Sequence, residues 1–291
     1  MPDARYLLLD VFTDRAFSGN SLAIFPDAVF DDQTMQGIAR ELNLSETVFL
    51  ARADGGAAAA LRIFTPAREV EFAGHPTIGT AIALSDHLQW IGPDRASFAL
   101  RLRIGDVAVN VERGANTTAW LTTPPVTFGR EIAREDAAAM LGLGFADVRG
   151  DLTPQLGGAG NPFLYVGLVG QAAVDRAELN VTAVREQVGW NDVNGIYCFA
   201  QNDEGAYARM FAPMSGIAED PATGSATGPL YAYLAKSGAL ARKDRYRSEQ
   251  GVAMGRPSLL HVRIRWNGER PDTIEVGGTA VLIGDGTMHV P

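Results

Sequence analysis

The segment Arg62-Ile63-Phe64-Thr65-Pro66, followed by Ala73-Gly74-His75-Pro76-Thr77-Ile78-Gly79, is met a second time further along the chain. The second copy is Arg209-Met210-Phe211-Ala212-Pro213, followed by Thr223-Gly224-Ser225-Ala226-Thr227-Gly228. Phe64 and Phe211 are 147 residues apart, and Gly74 and Gly224 are 150 apart. The second copy therefore holds three more residues between its first block and its glycine turn. Each copy reads as strand, loop, glycine turn and buried helix, and self-similarity of this kind decides a fold before any single motif does. After the first turn, Pro76 to Trp90 carries Ile78, Ala81, Ile82, Ala83 and Leu84 around most of a helical circumference. Ala226 to Leu240 does the same with Leu230, Tyr231, Tyr233 and Leu234. A helix apolar almost all round is a buried one.

The flanking sequence is rich in short strand signals. They cover Tyr6 to Phe12, Leu22 to Phe25, Val48 to Ala51, Leu61 to Phe64, Asp106 to Glu112 and Ala119 to Thr122. They resume over Phe163 to Val166, Gly195 to Ala200, Ala208 to Phe211, Leu260 to Trp266 and Thr273 to Val276. Val107, Val109 and Val111 alternate with smaller or polar neighbours, the period of a half-buried strand. Asp31 to Leu44 is an amphipathic helix, with Met35, Ile38, Ala39 and Leu42 on one face and Asp31 or Asp32 as its cap. Arg134 to Leu143 and Val181 to Trp190 read as outer helices. The expected fold is α+β, with two pseudo-symmetric lobes. Each is a mostly antiparallel strand barrel around a central buried helix. Residues 1–116 form the first lobe, 279–291 return to it, and 117–278 form the second, with the break in the polar stretch Arg113 to Thr118.

Composition narrows the function. The chain has 291 residues, 46% hydrophobic and 20% charged, with 25 Lys+Arg against 34 Asp+Glu and a net charge of −9. Such a chain is not disordered, and it is too acidic to be held by nucleic-acid phosphates. One cysteine, Cys198, excludes an internal disulfide framework and a multi-cysteine metal site. In the apolar run Ile196 to Ala200 it reads as a core thiol. Met1 to Asn20 is interrupted by Asp10 and Asp14 and does not read as a signal peptide. No run approaches 18 apolar residues, so no membrane span is expected and the protein is expected in the cytoplasm. Only Lys236 and Lys243 are lysines. Few Schiff-base or phosphate-gripping lysines are therefore available, which fits a carboxylate held by backbone N–H groups.

The glycine turns supply such groups. The first N–H groups of a helix lack intrahelical partners, and the helix dipole adds partial positive charge, so the end attracts anions. If the two lobes face each other, two helix N-termini converge on one cleft, and a small carboxylate would be held there. The glycines let it approach the backbone closely. Read blandly, the same turns are ordinary helix starts. His75 lies on the first turn, where the dipole disfavours its charged form. Asp220, in Glu219-Asp220-Pro221-Ala222-Thr223-Gly224-Ser225, precedes the second, and before a proline it could simply shape a turn. Glu46, in Asn43-Leu44-Ser45-Glu46-Thr47-Val48-Phe49, lies between a helix end and a strand, where residues alone favour a solvated loop carboxylate. Dinucleotide, Walker and nucleophile-elbow motifs are absent, and no His pair has metal spacing. Gly157-Gly158-Ala159-Gly160-Asn161-Pro162 reads as a loop, and His87, His261 and His289 as surface residues.

At these residues the chain resembles the phenazine biosynthesis PhzF-like isomerase family, within the diaminopimelate epimerase and proline racemase fold group. The resemblance rests on Asp10-Val11-Phe12-Thr13 with Phe17-Ser18-Gly19-Asn20, the Glu46 block, both copies of the repeat and Val276-Gly277-Gly278-Thr279-Ala280. It implies Glu46 as general acid/base, with His75 and Asp220 as its partners. It implies Gly74, Gly224 and Ser225 as substrate-carboxylate contacts, and brings Asn20 near them. In the epimerase relatives each glycine turn carries a cysteine; here those places hold His75 and Ser225. The expected activity is a 1,3 hydrogen shift on a small carboxylate by an isomerase needing no cofactor or metal. Glu46 is expected to need a pKa raised by desolvation. A two-base epimerase without thiols and a non-catalytic carboxylate-binding protein are the alternatives. A homodimer is expected by resemblance.

Overall fold

The computed structural model describes Asp3 to Val290. Met1, Pro2 and Pro291, at the outer ends of the stretches 1–116 and 279–291, lie outside the described residues. The fold is mixed α+β, mostly strands with few helices. The chain forms two compact units, one running up to Thr122 and resuming at Gly277, the other from Thr123 to Val276. The polar stretch Arg113 to Thr118 leads into the last strand of the first unit before that division.

The first unit contains β1 (Asp3–Val11), β2 (Asn20–Phe25), α1 (Asp32–Leu42), β3 (Glu46–Ala51), β4 (Ala59–Phe64) and β5 (Glu69–Val70). It continues with α2 (Gly74–Ile82), β6 (Ser97–Leu102), β7 (Gly105–Glu112) and β8 (Thr118–Thr122). Most pairings are antiparallel. Among the described residues two are parallel, β2 with β3 and β4 with β6. Parallel neighbours need a crossover, and helices supply both: α1 between β2 and β3, α2 between β4 and β6.

α1 starts where a side chain can replace the missing intrahelical acceptor. The Asp31 carboxylate takes the Thr34 N–H at 2.8 Å. The helix stops at Asn43, which adopts the left-handed conformation. Its Met35, Ile38 and Ala39 pack on Phe25, Phe49 and Phe64. All nine residues of α2 are buried. α2 is shorter than Pro76 to Trp90: it begins two residues earlier, ends at Ile82 and passes into a π turn over Ala83–His87. Gly79 lets it lie on the sheet, since a Cβ there would come within 2.6 Å of Leu22 and 2.7 Å of Val11.

The second unit runs through β9 (Thr127–Glu131), α3 (Arg134–Met140), β10 (Gln155–Gly158), β11 (Pro162–Gly167), α4 (Gln171–Arg176), α5 (Val181–Gln187) and β12 (Gly195–Gln201). Then follow β13 (Gly205–Ala212), β14 (Ile217–Asp220), α6 (Gly224–Lys236), β15 (Arg245–Gln250), β16 (Ser258–Asn267) and β17 (Arg270–Gly278). β18 (Ala280–His289) pairs with β1 in the first unit. The pairing scheme of the first unit recurs. β11 is parallel to β12 across α4 and α5, and β13 is parallel to β15 across α6. β12–β13 and β15–β16 are antiparallel, as β3–β4 and β6–β7 are. The repeat extends to side chains. Arg62 grips Glu69 with two hydrogen bonds of 2.8 and 2.7 Å, and Arg209 grips Glu219 with two of 2.8 Å. The extra residues of the second copy fall between this arginine and its carboxylate.

α6 carries Tyr231 and Tyr233 and receives Tyr165 from β11, and all three hydroxyls find partners. Tyr165 donates to the Ala226 carbonyl at 2.9 Å, Tyr233 to the Thr153 carbonyl at 2.7 Å, and Tyr231 lies 3.0 Å from Ser248 Oγ. Burial raises the pKa of all three. Leu230 and Leu234 are fully buried, each contributing about 1.5–3 kcal/mol.

Two further sequence expectations change. Gly157 and Gly158 are not loop but the end of β10, because the strand is squeezed against its neighbours. A Cβ on Gly157 would meet the Phe128 ring at 2.8 Å, and one on Gly158 would collide with the Asn161 carbonyl. His261 is half-buried, its charged form opposed by burial and by Arg247, Arg263 and Arg245. His289 is exposed, as expected, with its Nδ1 2.7 Å from the Asp3 carboxylate. Cys198 is fully buried in β12, which pushes its thiol pKa up to about 12. Among the described residues, no helix is long and apolar enough to cross a membrane.

Candidate active site

The first unit brings together three of the residues singled out. Asn20 opens β2, Glu46 opens β3, and the parallel register pairs Leu22 with Glu46. His75 is the second residue of α2 and is 3% exposed. Its Nδ1 lies 3.2 Å from Glu46 Oε2 and 3.2 Å from Asn20 Nδ2. Its Nε2 is buried. The Glu46 side chain keeps 15% of its surface open.

Burial lowers the His75 pKa from 6.5 to about 3, opposed by a hydrogen bond to the Ser21 backbone. The imidazole is therefore neutral at neutral pH and carries one ring proton. Two arrangements satisfy the Glu46 contact. An ionised Glu46 accepts from Nδ1–H. A protonated Glu46 donates to Nδ1, and the ring proton then sits on Nε2. The proton count of Glu46 thus sets the tautomer of His75.

Gly74 opens α2 after Ala73, which offers no side-chain cap, and the first turn holds no acidic residue. Thr77 turns its hydroxyl back to the Ala73 carbonyl at 2.7 Å, away from the N–H groups at the helix start. Among the described residues, neither a side-chain cap nor an acidic first-turn residue of α2 takes those donors, which are the groups an anion would meet.

In the second unit, Asp220 ends β14 and is 4% exposed. It belongs to a buried network absent from the sequence reading. Its Oδ2 accepts from Thr223 Oγ1 at 2.6 Å, and Gln250 donates to the Asp220 carbonyl at 2.7 Å and to Thr223 Oγ1 at 2.9 Å. The Thr223 N–H donates to Gln250 Oε1 at 3.1 Å. Thr223 precedes α6 without capping it: its hydroxyl donates to Asp220 and accepts from Gln250. Gly224 is buried at the helix start and Ser225 is half-buried. Thr227 donates to the Thr223 carbonyl at 3.0 Å, as Thr77 does to Ala73. Thr223 lies in the block Glu219 to Ser225, where a hydroxyl just before a helix is itself a signal. Gln250 had no such signal, since its strand was not recognised. Among the described residues, no three His, Cys, Asp or Glu side chains group as metal ligands would.

The family model for phenazine biosynthesis-like protein (PhzC-PhzF) matches residues 9–286. Trans-2,3-dihydro-3-hydroxyanthranilate isomerase of Pseudomonas fluorescens is 35% identical over 287 residues, covering 97% of this chain and 98% of that one. The structure of a predicted epimerase from Pseudomonas aeruginosa superposes with a TM-score of 0.84 at 31% identity, covering 99% of this chain and 100% of the other. A probable proline racemase from Agrobacterium radiobacter shares the fold, with a TM-score of 0.69 at 13% identity over 99% and 93% of the two chains. The chain belongs to the phenazine biosynthesis-like family and is an isomerase.

Proposed function

We propose that this isomerase moves a proton between two carbons of a small carboxylate substrate, a 1,3 hydrogen shift with Glu46 as the carrier. The observation that carries the reading is the Glu46 carboxyl at 3.2 Å from the neutral, buried His75 at the start of α2. The bond from one carbon to hydrogen breaks and the proton passes to Glu46. The electron pair delocalises toward the second carbon, which takes the proton back. Atoms and charge balance without an added reactant. A positioned acid/base contributes about 10²–10⁴-fold.

When Glu46 holds the proton, His75 Nδ1 offers one lone pair that the Glu46 hydroxyl and the Asn20 amide share as alternative donors, and either favours the tautomer with its proton on Nε2. Gly74 and the first turn of α2 receive the substrate carboxylate and stabilise negative charge as it develops. Asp220, Gly224 and Ser225 are assigned further substrate contacts at the start of α6. The repeated pairing scheme supports two pseudo-symmetric lobes, each wrapping a buried helix. The relatives named for dihydrohydroxyanthranilate isomerisation support a cyclic, unsaturated carboxylate as the substrate class.

A two-base epimerase is the second reading, favoured by the 31% identity to the predicted epimerase. It would have to use Glu46 with His75 or Asp220, since the chain has one cysteine. Proton NMR in D₂O separates the two on trans-2,3-dihydro-3-hydroxyanthranilate and on candidate amino acids. A one-base shift can return substrate hydrogen to the product, whereas two-base inversion takes up solvent deuterium, so retained substrate hydrogen identifies the shift. Glu46→Gln should fold and lose about 10²–10⁴-fold in turnover. Full turnover in that variant sinks the assignment.

A further inference from the structure

Phe17 breaks two local rules at once. Its ring is 78% exposed, and its backbone sits at φ 65°, a region that aromatic residues rarely adopt. Asparagine or glycine would fit that backbone with less strain, and either would suit a solvent-facing turn better. Phe145 is also exposed, but the Arg134 guanidinium lies over its ring at 4.1 Å. No ring or cation contact covers Phe17 among the described residues.

The strained conformation is held from below. The fully buried Asp10 accepts the Phe17 N–H on Oδ2 at 2.7 Å and the Ser21 hydroxyl on Oδ1 at 2.8 Å. Asp10 pairs with Ser21 across β1 and β2, and Val11 with Asn20. The Ser21 backbone hydrogen-bonds His75, and the Asn20 amide lies on His75 Nδ1. A buried carboxylate thus ties the backbone of Phe17 to the strand that positions His75. On the other side Phe12, itself at φ 63°, donates its N–H to the Thr279 carbonyl, and the Thr279 hydroxyl donates to the Thr13 carbonyl. Strain persists only where the surroundings over-determine it, and it gathers at ligand clamps. Consistency between local preference and fold fails chiefly at functional positions.

We propose that Phe17 is a specificity-determining residue that touches the substrate, its ring covering the apolar part of a cyclic carboxylate held at the start of α2. This rests on the reading of Glu46 and His75 as the reacting centre. The ring meets substrate carbon rather than the migrating proton, so it acts on binding in ground and transition states alike.

The test compares wild type, Phe17→Asn, Phe17→Leu and Glu46→Gln by thermal melting, sedimentation mass and steady-state kinetics on trans-2,3-dihydro-3-hydroxyanthranilate. Phe17→Asn should melt no lower than wild type, because asparagine relieves the left-handed strain and no buried surface is lost. Its kcat/KM should fall about 10- to 100-fold, the worth of one covered aromatic side chain, with the loss in KM and kcat within about threefold. Phe17→Leu should stay within about fivefold of wild type. Unchanged kinetics in Phe17→Asn, beside an active wild type and an inactive Glu46→Gln, overturn the role of Phe17 and leave Glu46 standing. A melting point several degrees lower with a parallel loss of kcat overturns it in favour of a structural ring. A changed sedimentation mass with unchanged kinetics assigns the ring to self-association instead. If wild type neither turns over nor binds this substrate, the reading of the site falls and Phe17 falls with it.

Discussion

The neutral state of His75 can be tested through stability alone, without a substrate. Its pKa is about 3 in the folded protein and 6.5 in the unfolded chain. Between those values the unfolded chain binds a proton that the folded protein refuses, so stability rises with pH across this window. The contribution is complete above about pH 6.5 and is lost progressively as pH falls toward 3. At pH 5 the unfolded chain gains about 1.5 pH units of binding, or roughly 2 kcal/mol at 1.36 kcal/mol per unit. That figure holds for any folded pKa below about 4. Against a typical total of about 5–15 kcal/mol it is readily measured. Urea unfolding at pH 7 and pH 5 should be compared for wild type and His75→Asn, whose amide never charges. The variant may start lower; only the pH difference counts, and wild type should lose about 2 kcal/mol more than the variant. Equal losses would mean that an ionised Glu46 at 3.2 Å holds His75 as imidazolium, and the tautomer-coupled mechanism would fail.

Other expectations follow from the two units. Arg209 is 12% exposed, grips Glu219 twice and donates to the carbonyls of Val174, Asp175 and Ala177. Arg209→Ala should therefore cost about 3–5 kcal/mol in urea unfolding. Arg62, its counterpart at 35% exposure, should cost no more than about 1–2 kcal/mol. A Cβ on Gly228 in α6 would collide with the Thr123 hydroxyl. Gly228→Ala should cost about 1–3 kcal/mol, and Thr123→Ala in the same chain should recover most of it. Cys198 should not react with a thiol reagent at pH 8 until denaturant is added, because burial keeps the thiol neutral and out of reach. Rapid modification of the native protein would refute its placement in β12.

Much of the fold was legible because it rests on local pattern. Asp31 announced α1, and the all-round apolar character of Ile78 to Leu84 announced a buried helix. β6 was missed although Phe98, Leu100 and Leu102 are buried in alternation with Ser97, Ala99 and Arg101, a period-2 pattern present in the sequence. β15 was missed for a deeper reason. Arg245-Tyr246-Arg247-Ser248-Glu249-Gln250 is polar throughout, and it is a strand because β13 offers a parallel edge some 40 residues away. β10 ends in two glycines that no strand preference selects; the ring of Phe128 and the Asn161 carbonyl select them.

The candidate site divides in the same way. The sequence by itself determined that a glycine turn precedes each of two buried helices and that one thiol is present, because these depend on residue order alone; that the helices open on Gly74 and Gly224 and that Glu46 opens a strand came from the structure. Only the tertiary structure decided what those residues are chemically. Asn20 and His75 are 55 residues apart and meet through sheet and helix packing. His75 is neutral because burial withholds the water an imidazolium needs, and burial depends on every element around it. Asp220 is a network member rather than a turn residue because Gln250, 30 residues on, reaches its carbonyl. Phe17 stands exposed and strained because Asp10, seven residues earlier in the chain and pinned across β1 and β2, holds its backbone there. Long-range contacts fix protonation, exposure and strain, and no local pattern encodes them.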